Sequence, residues 1–481
     1  MAKQSTRLPD YERIKEAPLA FDPVRKDRID VHPLRGLIEH GPFSGQMSPA
    51  LVPPTIRLAF ITPEAYAAPL RDYLRCLNEV HAPPRGGSYF PDFPGFRSVF
   101  GVDLAIPQGK ADPVVLLPLK NIQQALQGPD PERLFLAMVE GAIRQLTLRR
   151  AEFDIIVLYF PEFLDSVFTV RGEGYTFDLH DATKAITAST GIPAQIILDR
   201  SIGYKDRCSV LWSLAVALYA KAGGVPWKLA NPSSGTAYVG LSYVLHQQGD
   251  KTQVVSCCSQ VFDDRGHGIQ FLIFTADDFV RKGKNPFLKR GDMRRLLMKT
   301  LQVCVQYGGL PRRVVVHKTT HFTPEEREGA AEALGLLDNY ELLQVQEDTA
   351  WTAVKGRSGR SPEAKGSPTP YPVDRGTVLP ISRFAYLLWT QGDAEGVVAR
   401  GRSFYQEGKG IPSPLLITQH AGSTPLLESA TELFGLTKMN WNTSRLYNNI
   451  PVTIKSASAL GDIAKYMTST RQTPYQFRLF M

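Results

Sequence analysis

Cysteine and long hydrophobic runs are both scarce in this sequence. Its 481 residues include five cysteines, and the only close pair, Cys257 and Cys258, is adjacent, so the C-x-x-C spacing of zinc and redox sites is missing. The sequence therefore predicts no disulfide framework and indicates a reducing compartment. The longest apolar stretches, such as 155–160, are far shorter than the roughly 18 residues of a membrane span. The positively charged amino-terminal segment has no apolar stretch after it, so it does not resemble a signal peptide. We expect a cytoplasmic protein with no membrane partner.

The excess of positive charge is small. Lys and Arg total 55 against 47 Asp and Glu, which gives a net charge of +8 and weakly indicates a polyanion as partner. The content of 43% hydrophobic and 21% charged residues is typical of globular proteins, and it excludes a mainly disordered chain and a coiled coil. The length predicts about three domains, or two large ones.

Strands alternate with helices from Thr55 onward. Strands are predicted at 56–62, 154–160 and 194–198, with helices at 131–150, 178–189 and 209–221 among them. This alternation predicts an α/β fold with a parallel, doubly wound sheet over residues 55–230. The region contains no G-x-G-x-x-G sequence, which argues against a nicotinamide site.

A different order of elements begins near residue 231. Three strands at 237–245, 253–262 and 268–274 form a predicted meander, and a helix, a strand and another helix follow. This is the order of an RNase H-like domain. Residues 1–54 show no sustained periodicity and are predicted to form an extended arm.

Five polar residues of the first α/β region could form an anion site. His180 and Lys184 share one face of a predicted helix, Gln195 opens the next strand, Lys205 lies in a loop, and Lys221 ends the following helix. In open α/β sheets, ligands bind beyond the carboxyl ends of the strands. Lysines, an amide and a ring suit a terminal phosphate with a base stacked above it. The alternative is that these are ordinary surface charges on amphipathic helices.

The same residues resemble a known family pattern. His180-Asp-Ala-Thr-Lys184, Gln195 and Lys221 before Gly223-Gly224 are similar to the guide 5′-phosphate pocket of Argonaute proteins, with His180 in place of the usual Tyr. The segment Arg35-Gly-Leu-Ile-Glu-His-Gly-Pro42 resembles an entry segment of such proteins. The resemblance is to the short prokaryotic Argonautes, which lack N and PAZ domains.

The resemblance implies a domain order and a metal. Residues 1–54 would be the entry arm, 55–230 a Rossmann-like MID domain that binds the guide end, and 231–481 an RNase H-like PIWI domain. It also implies that the terminal carboxylate of Met481, together with Gln195, helps to hold Mg²⁺ at the guide 5′-phosphate. A terminal segment buried for packing alone is the alternative.

The resemblance further implies that this PIWI domain does not cut nucleic acid. The positions of the family's catalytic carboxylates align with Ser242, Thr319 and Ser456, none of which is acidic. A two-metal nuclease needs several carboxylates to hold its cations. We expect a domain that binds a guide–target duplex without cleaving it.

Basic residues indicate where a duplex could bind. One run lies between Arg281 and Lys299, and a second segment, Lys438-Met-Asn-Trp-Asn442, is similar to a family segment that lines the duplex channel. The alternative for the first run is a solvated helix face. The predicted duplex contacts are Arg281, Lys282, Lys284, Arg294, Arg295, Lys438, Asn440, Asn442 and Arg445.

The resemblance implies partners as well. These are a small guide RNA, complementary single-stranded target DNA from an invader, and a separate APAZ-containing effector subunit of the sirtuin-like or TIR NADase type. Target recognition would activate the effector, deplete NAD⁺ and stop growth of the infected cell, with a higher oligomer on activation as one outcome. Two alternatives remain open at this point: a metal-dependent nuclease with a displaced active site, and a non-guided single-strand binder.

Overall fold

A computed structural model describes most of the chain. The described residues are 10–46, 51–84, 89–109, 111–172, 175–248, 251–261, 270–276, 278–307, 309–347, 349–357, 367–369, 372–399, 402–404, 411–467 and 474–481. They divide into two compact units. The parallel-sheet unit comprises Leu19–Lys228, Trp441–Ser444 and Ala459–Met481, and the mixed-sheet unit comprises the residues up to Pro18, Leu229–Asn440 and Arg445–Ser458.

The secondary structure alternates along both units. The α-helices are α1 Pro33–His40, α2 Ala67–Arg75, α3 Phe96–Phe100, α4 Leu119–Leu126, α5 Pro131–Thr147, α6 Asp165–Phe168, α7 Leu179–Thr190, α8 Asp199–Ile202, α9 Arg207–Lys221, α10 Arg290–Tyr307, α11 Pro324–Leu334, α12 Leu426–Leu436 and α13 Val452–Ala464. The strands are β1 Glu12–Arg13, β2 Leu19–Ala20, β3 Ile29–Asp30, β4 Thr55–Pro63, β5 Asp103–Ala105, β6 Val114–Leu117, β7 Ile155–Phe160, β8 Thr169–Gly172, β9 Tyr175–Asp178, β10 Ala194–Leu198, β11 Lys228–Leu229, β12 Thr236–Gln248, β13 Lys251–Val261, β14 Gln270–Ala276, β15 Phe279–Lys282, β16 Asn285–Leu288, β17 Arg313–Lys318, β18 Asn339–Gln346, β19 Gly356–Arg357, β20 Ser367–Pro368, β21 Thr377–Ser382, β22 Ala385–Leu388, β23 Ala394–Ala399, β24 Arg402–Phe404, β25 Leu415–Ala421 and β26 Tyr475–Gln476.

A parallel sheet forms the centre of the parallel-sheet unit. Its strand order is β10-β7-β4-β5, with β6 also pairing with β4, and every pair is parallel. Every residue of β7 is buried, because helices cover both faces of such a sheet. Phe135, Val139 and Ile143 of α5 pack with α7 and the strands in one apolar cluster. The predicted α/β fold class is confirmed, and β10 is an edge strand.

Local sequence signals fix the helices that carry the polar residues. The Asp178 side chain caps α7 by accepting the backbone N–H of Asp181 at 3.1 Å, and Gly191 ends the helix with a left-handed φ of 73°. Asp206 caps α9 in the same way through the N–H of Ser209 at 3.1 Å. These caps place α7 and α9 where the sequence predicts them.

The amino-terminal segment contains more structure than an extended arm. The Arg35–Pro42 segment forms most of α1, and a Cβ at Gly36 would lie 2.1 Å from the Phe21 ring, so no larger residue fits there. The segment also contributes to both units, because the residues up to Pro18 belong to the mixed-sheet unit and those after it to the parallel-sheet unit.

A mixed sheet organises the other unit. Its strands follow the order β1-β21-β22-β25-β18-β17-β12-β13-β14, in which β12, β13 and β14 form the predicted antiparallel meander. Strand β17 pairs in parallel with both β12 and β18. Helices α10 and α11 cover one face of this sheet through Met293, Leu296 and Ala330. The meander followed by a helix, a parallel strand and a helix is the predicted RNase H-like order, although the predicted strand at 268–274 begins outside the described residues.

Where the structure describes the chain, it contains no helix whose length and hydropathy would let it cross a bilayer.

Candidate nucleic-acid interface

Two buried lysines meet beside the edge strand of the parallel sheet. Lys184 of α7 and Lys221 at the end of α9 are each only 1% exposed. The Lys184 ammonium donates to the main-chain oxygens of Ala194 and Met481, and the Lys221 ammonium donates to Oε1 of Gln195 at 2.7 Å. The structure therefore brings together Lys184, Gln195, Lys221 and Met481, which are distant in sequence.

The position of this cluster differs from the expected one. Gln195 is the second residue of β10, so the cluster lies at the amino end of an edge strand and not beyond the carboxyl ends of the strands. An edge strand leaves one side open, and the two helices bring their lysines to that side. The chain after α9 turns at Gly223, which has a φ of 105°. A Cβ at this position would lie 2.6 Å from the Leu51 carbonyl oxygen, so the turn requires glycine.

Burial makes both ammonium groups unfavourable in the absence of a ligand. Burial lowers the pKa of Lys184 to about 7, and the carboxylate of Asp181 partly opposes that shift. Burial lowers the pKa of Lys221 well below its ordinary value, and repulsion by Lys184 lowers it further. A bound phosphate would supply the negative charge that these two groups need.

This electrostatic arrangement predicts a pH dependence. The affinity for a 5′-phosphorylated strand should fall by at least about tenfold between pH 7 and pH 9, because above pH 7 binding must return a proton to Lys184. The phosphate itself is a dianion in this range, since its second pKa is about 6. The measurement is the affinity ratio of phosphorylated to unphosphorylated strands at constant ionic strength.

An affinity ratio that stays constant up to pH 9 would indicate ordinary lysines and contradict this electrostatic account.

In the protein without a bound strand, raising the pH should have the opposite effect and increase the stability of the fold. Because the folded-state pKa of Lys184 lies below its unfolded value of about 10.4, the unfolded chain binds more protons between these two values. The free energy of unfolding should therefore rise with pH from 7 to 9.

His180 and Lys205 are both more exposed than the two buried lysines. The His180 side chain is 43% exposed in the first turn of α7, and its Nδ1 lies 2.9 Å from Oδ1 of Asp181. Asp181, which sequence reasoning missed, therefore orients the ring. Lys205 is exposed in the loop between α8 and α9, and none of the contacts among the described residues joins it to the buried lysines.

A small pocket adjoins the lysine cluster through Gln195. Its volume is about 160 Å³, and its polar lining includes Tyr73, Ser213 and Asn442 with Gln195. The Tyr73 hydroxyl is buried without a hydrogen-bond partner among the described residues. Tyr73 belongs to an amphipathic helix with no motif, so the sequence offered no signal for it.

The three positions that the resemblance aligns with catalytic carboxylates all belong to the mixed-sheet unit. Gly240 pairs with His317 in the parallel register of β12 and β17, so Ser242, two residues after Gly240 on β12, shares the face of His317. Thr319 directly follows the last residue of β17. Nδ1 of His317 contacts Oγ1 of Thr453 at 2.8 Å, and Ser456 lies three residues after Thr453 on α13. All three side chains, Ser242, Thr319 and Ser456, carry hydroxyls.

The opposite face at the same strand ends holds a buried ion pair. The Lys318 ammonium lies 2.7 Å from Oε2 of Glu326, and the rings of Tyr243, Phe287 and Phe322 surround it with centroids 4.7 to 5.1 Å away. Burial lowers the pKa of Lys318 to about 8, and Glu326 opposes the shift. Glu326 also accepts the Thr323 N–H in the capping box of α11, so this carboxylate has a structural role.

Part of the first basic run forms ion pairs within the chain. Arg281, Lys282 and Lys284 are exposed on the β15–β16 hairpin. Arg294 and Arg295 are exposed as well, but Arg294 lies 3.8 Å from Glu332 and Arg295 pairs with Asp292. Glu332 lies on α11, outside the basic run, so the charges within the run do not reveal this partner. The run therefore combines an exposed basic hairpin with two exposed arginines that have acidic partners.

The prediction of a duplex contact at Lys438 is corrected. Lys438 is 2% exposed, and its ammonium donates to the main-chain oxygen of Ala17 at 2.8 Å and lies 3.2 Å from the Glu16 carboxylate. Glu16 also pairs with the buried Arg375 at 3.0 Å. These cations bring the pKa of Glu16 below its usual value despite burial. Lys438 therefore anchors the amino-terminal segment and is inaccessible to a duplex.

The remaining residues of that segment are placed differently. Asn440 donates to Oδ1 of Asn448 at 3.2 Å, and Lys455 donates to the same oxygen at 2.8 Å. Arg445 is exposed, and its charge adds to burial in lowering the pKa of Lys455. Lys455 is a cation near this surface that the sequence motif did not reveal.

Comparisons with known proteins identify the fold. No protein-family model and no curated protein matches the chain. Among solved structures, the chain is similar to Clostridium butyricum Argonaute bound to a guide DNA with 5′ deoxycytidine and a 19-mer target DNA, with 13% identity, a TM-score of 0.67, and coverage of 98% of this chain and 54% of that one. It is similar to Aquifex aeolicus Argonaute with 14% identity, a TM-score of 0.59, and coverage of 98% and 57%. The chain spans just over half the length of these proteins, and it has an Argonaute-like fold.

Proposed function

We propose that this protein binds the phosphorylated 5′ end of a small guide RNA and uses the guide to recognise complementary single-stranded DNA. The single observation that carries the proposal is the pair of buried lysines, Lys184 and Lys221, whose main polar partners are main-chain oxygens and the Gln195 amide. When both ammonium groups are charged, a nearby anion stabilises them, and a terminal phosphate supplies that charge. Argonaute-like architecture supports the guide-directed use of that end. The test is whether guide-loaded protein retains a complementary strand and rejects a scrambled one.

The proposed recognition does not include cutting. Ser242, Thr319 and Ser456 supply hydroxyls, and hydroxyls cannot balance the charge of two divalent cations. The Glu326 carboxylate nearby is neutralised by Lys318. The exposed cations of the β15–β16 hairpin and Arg445 are the proposed contacts to the duplex backbone.

Mg²⁺ at the guide phosphate is part of the proposal. Oε1 of Gln195 and the terminal oxygen carried by Met481 are the ligands this chain would offer, and hard oxygen donors suit the ion. Both oxygens accept hydrogen bonds from lysines in this structure. The ion would therefore bind together with the phosphate, whose oxygens would complete the set of ligands. The ion would neutralise charge on the phosphate and join it to the chain.

We further propose that the response to a target resides in a partner. The candidate is an APAZ-containing effector of the sirtuin-like or TIR type, acting in the cytoplasm in antiviral defence. In a reconstituted complex, NAD⁺ should be consumed only when guide and complementary target are both present, because recognition must favour the active state. NAD⁺ consumption that is equal with complementary and non-complementary strands would contradict the sensing role. It would leave the strand-binding proposal intact.

A further inference from the structure

A second group of potential ligands lies at the end of α2, away from the lysine cluster in sequence. Cys76, Glu79 and His81 each offer one ligand atom, and these atoms all lie within 4.8 Å of one another. Nε2 of His81 is 3.6 Å from Oε2 of Glu79 and 3.1 Å from the main-chain oxygen of Cys76. A thiol, a carboxylate, an imidazole and a carbonyl oxygen therefore converge on one small volume.

The backbone holds these residues in place. The turn after α2 is closed by the N–H of Glu79, which donates to the Cys76 carbonyl at 3.2 Å. His81 forms a two-sided bridge with Phe93, with N–H to O distances of 2.9 and 2.8 Å. Phe93 is fully buried against Trp212, which fixes the bridge to the core. The ligand side chains thus extend from an ordered backbone, and their heads remain reachable, since Cys76 is partly buried and Glu79 is 63% exposed.

The combination of ligand types selects a class of metal. Thiolate and imidazole favour zinc and similar transition ions, whereas Mg²⁺ and Ca²⁺ prefer oxygen ligands alone. In a tetrahedral zinc site the ligand atoms lie about 3.3 to 3.7 Å apart, so the present spacing needs side-chain adjustments of roughly 1 Å. We propose that Cys76, Glu79 and His81 bind a zinc-like divalent transition ion that fastens the end of α2 to the segment carrying His81.

Arg207 gives this proposal an independent check. Its Nη1 lies 3.9 Å from the Cys76 Sγ, so its charge would oppose an incoming cation. Arg207 is exposed in the first turn of α9 and can turn away. Removing the charge with Arg207→Gln should strengthen metal binding by about threefold or more. A cysteine and a histidine that served only packing would show no such response.

The experiment uses the full chain without a histidine tag. Zn²⁺ is titrated calorimetrically, and Co²⁺ binding is followed by the charge-transfer absorption that a thiolate ligand produces. We expect one equivalent to bind with a Kd in the micromolar range or tighter, and Cys76→Ser, Glu79→Gln and His81→Ala each to weaken it by at least about tenfold. Cys304→Ala and His321→Ala, which change the same residue types in the mixed-sheet unit, should leave it unchanged.

Thermal unfolding without metal shows that each variant is folded. The absence of saturable Zn²⁺ binding by the wild-type chain would overturn the proposal. Binding that survives both Cys76→Ser and His81→Ala, or Co²⁺ binding without thiolate absorption, would overturn it as well.

Discussion

Replacing both Lys184 and Lys221 with methionine should weaken binding of a 5′-phosphorylated strand by about 100-fold or more. Each charge-assisted hydrogen bond to phosphate contributes about 1.5 to 3 kcal/mol, and a tenfold change in affinity corresponds to about 1.4 kcal/mol. Methionine keeps the length of the buried stem and removes the ammonium. Because both lysines are buried with pKa values lowered by desolvation, the double variant should also unfold at a temperature no lower than the wild type.

The measurement compares phosphorylated and unphosphorylated strands of one sequence by fluorescence anisotropy. The preference for the phosphorylated strand should disappear in the double variant, while the weak affinity for the unphosphorylated strand remains. Lys120→Met, which removes a lysine at the surface of the same unit, serves as the matched control and should retain the preference. If the double variant still discriminates between the two strands, the phosphate does not bind at this cluster.

A guide-loaded protein should leave its target strand intact in Mg²⁺ or Mn²⁺. Two-metal cleavage requires paired carboxylates, and the aligned positions Ser242, Thr319 and Ser456 hold hydroxyls. The expected rate of site-specific cleavage is that of the control without protein. The double variant Lys184→Met, Lys221→Met is the control for a contaminating nuclease, because a contaminant would cut equally well in both preparations. Cleavage at one position that the wild type performs and this variant loses would contradict the proposal and indicate a nuclease with a displaced active site.

The strong periodic elements could be predicted from the sequence. Strand 194–198 and the helices around Lys184 and Lys221 agree with the structure because caps at Asp178 and Asp206 and continuous apolar strands are local signals. The same strand and helices carry Gln195, Lys184 and Lys221, so the candidate site could be assembled from spacing and family resemblance. The location of the site at an edge strand could not be predicted, since strand order depends on long-range pairing.

Ion pairing was the part of the site that sequence could not reveal. Arg294 meets Glu332 from another helix, and Lys438 meets Glu16, which lies more than 400 residues earlier in the sequence. Local runs of charge show neither partner, so the sequence did not reveal that Arg294 is paired and that Lys438 is buried. The Cys76 group was missed for a related reason, because cysteine spacing alone does not report a nearby carboxylate and imidazole.

The most direct test of guide-directed recognition is the affinity of the loaded protein for complementary and scrambled DNA strands of equal length at one salt concentration. Specific nucleic-acid binding typically exceeds non-specific binding by about 10³-fold or more, and base pairing to the guide should provide such a difference here. We expect the complementary strand to bind at least about 100-fold more tightly and to be recovered uncut. Equal affinity for the two strands would contradict guide-directed recognition and indicate a non-guided single-strand binder.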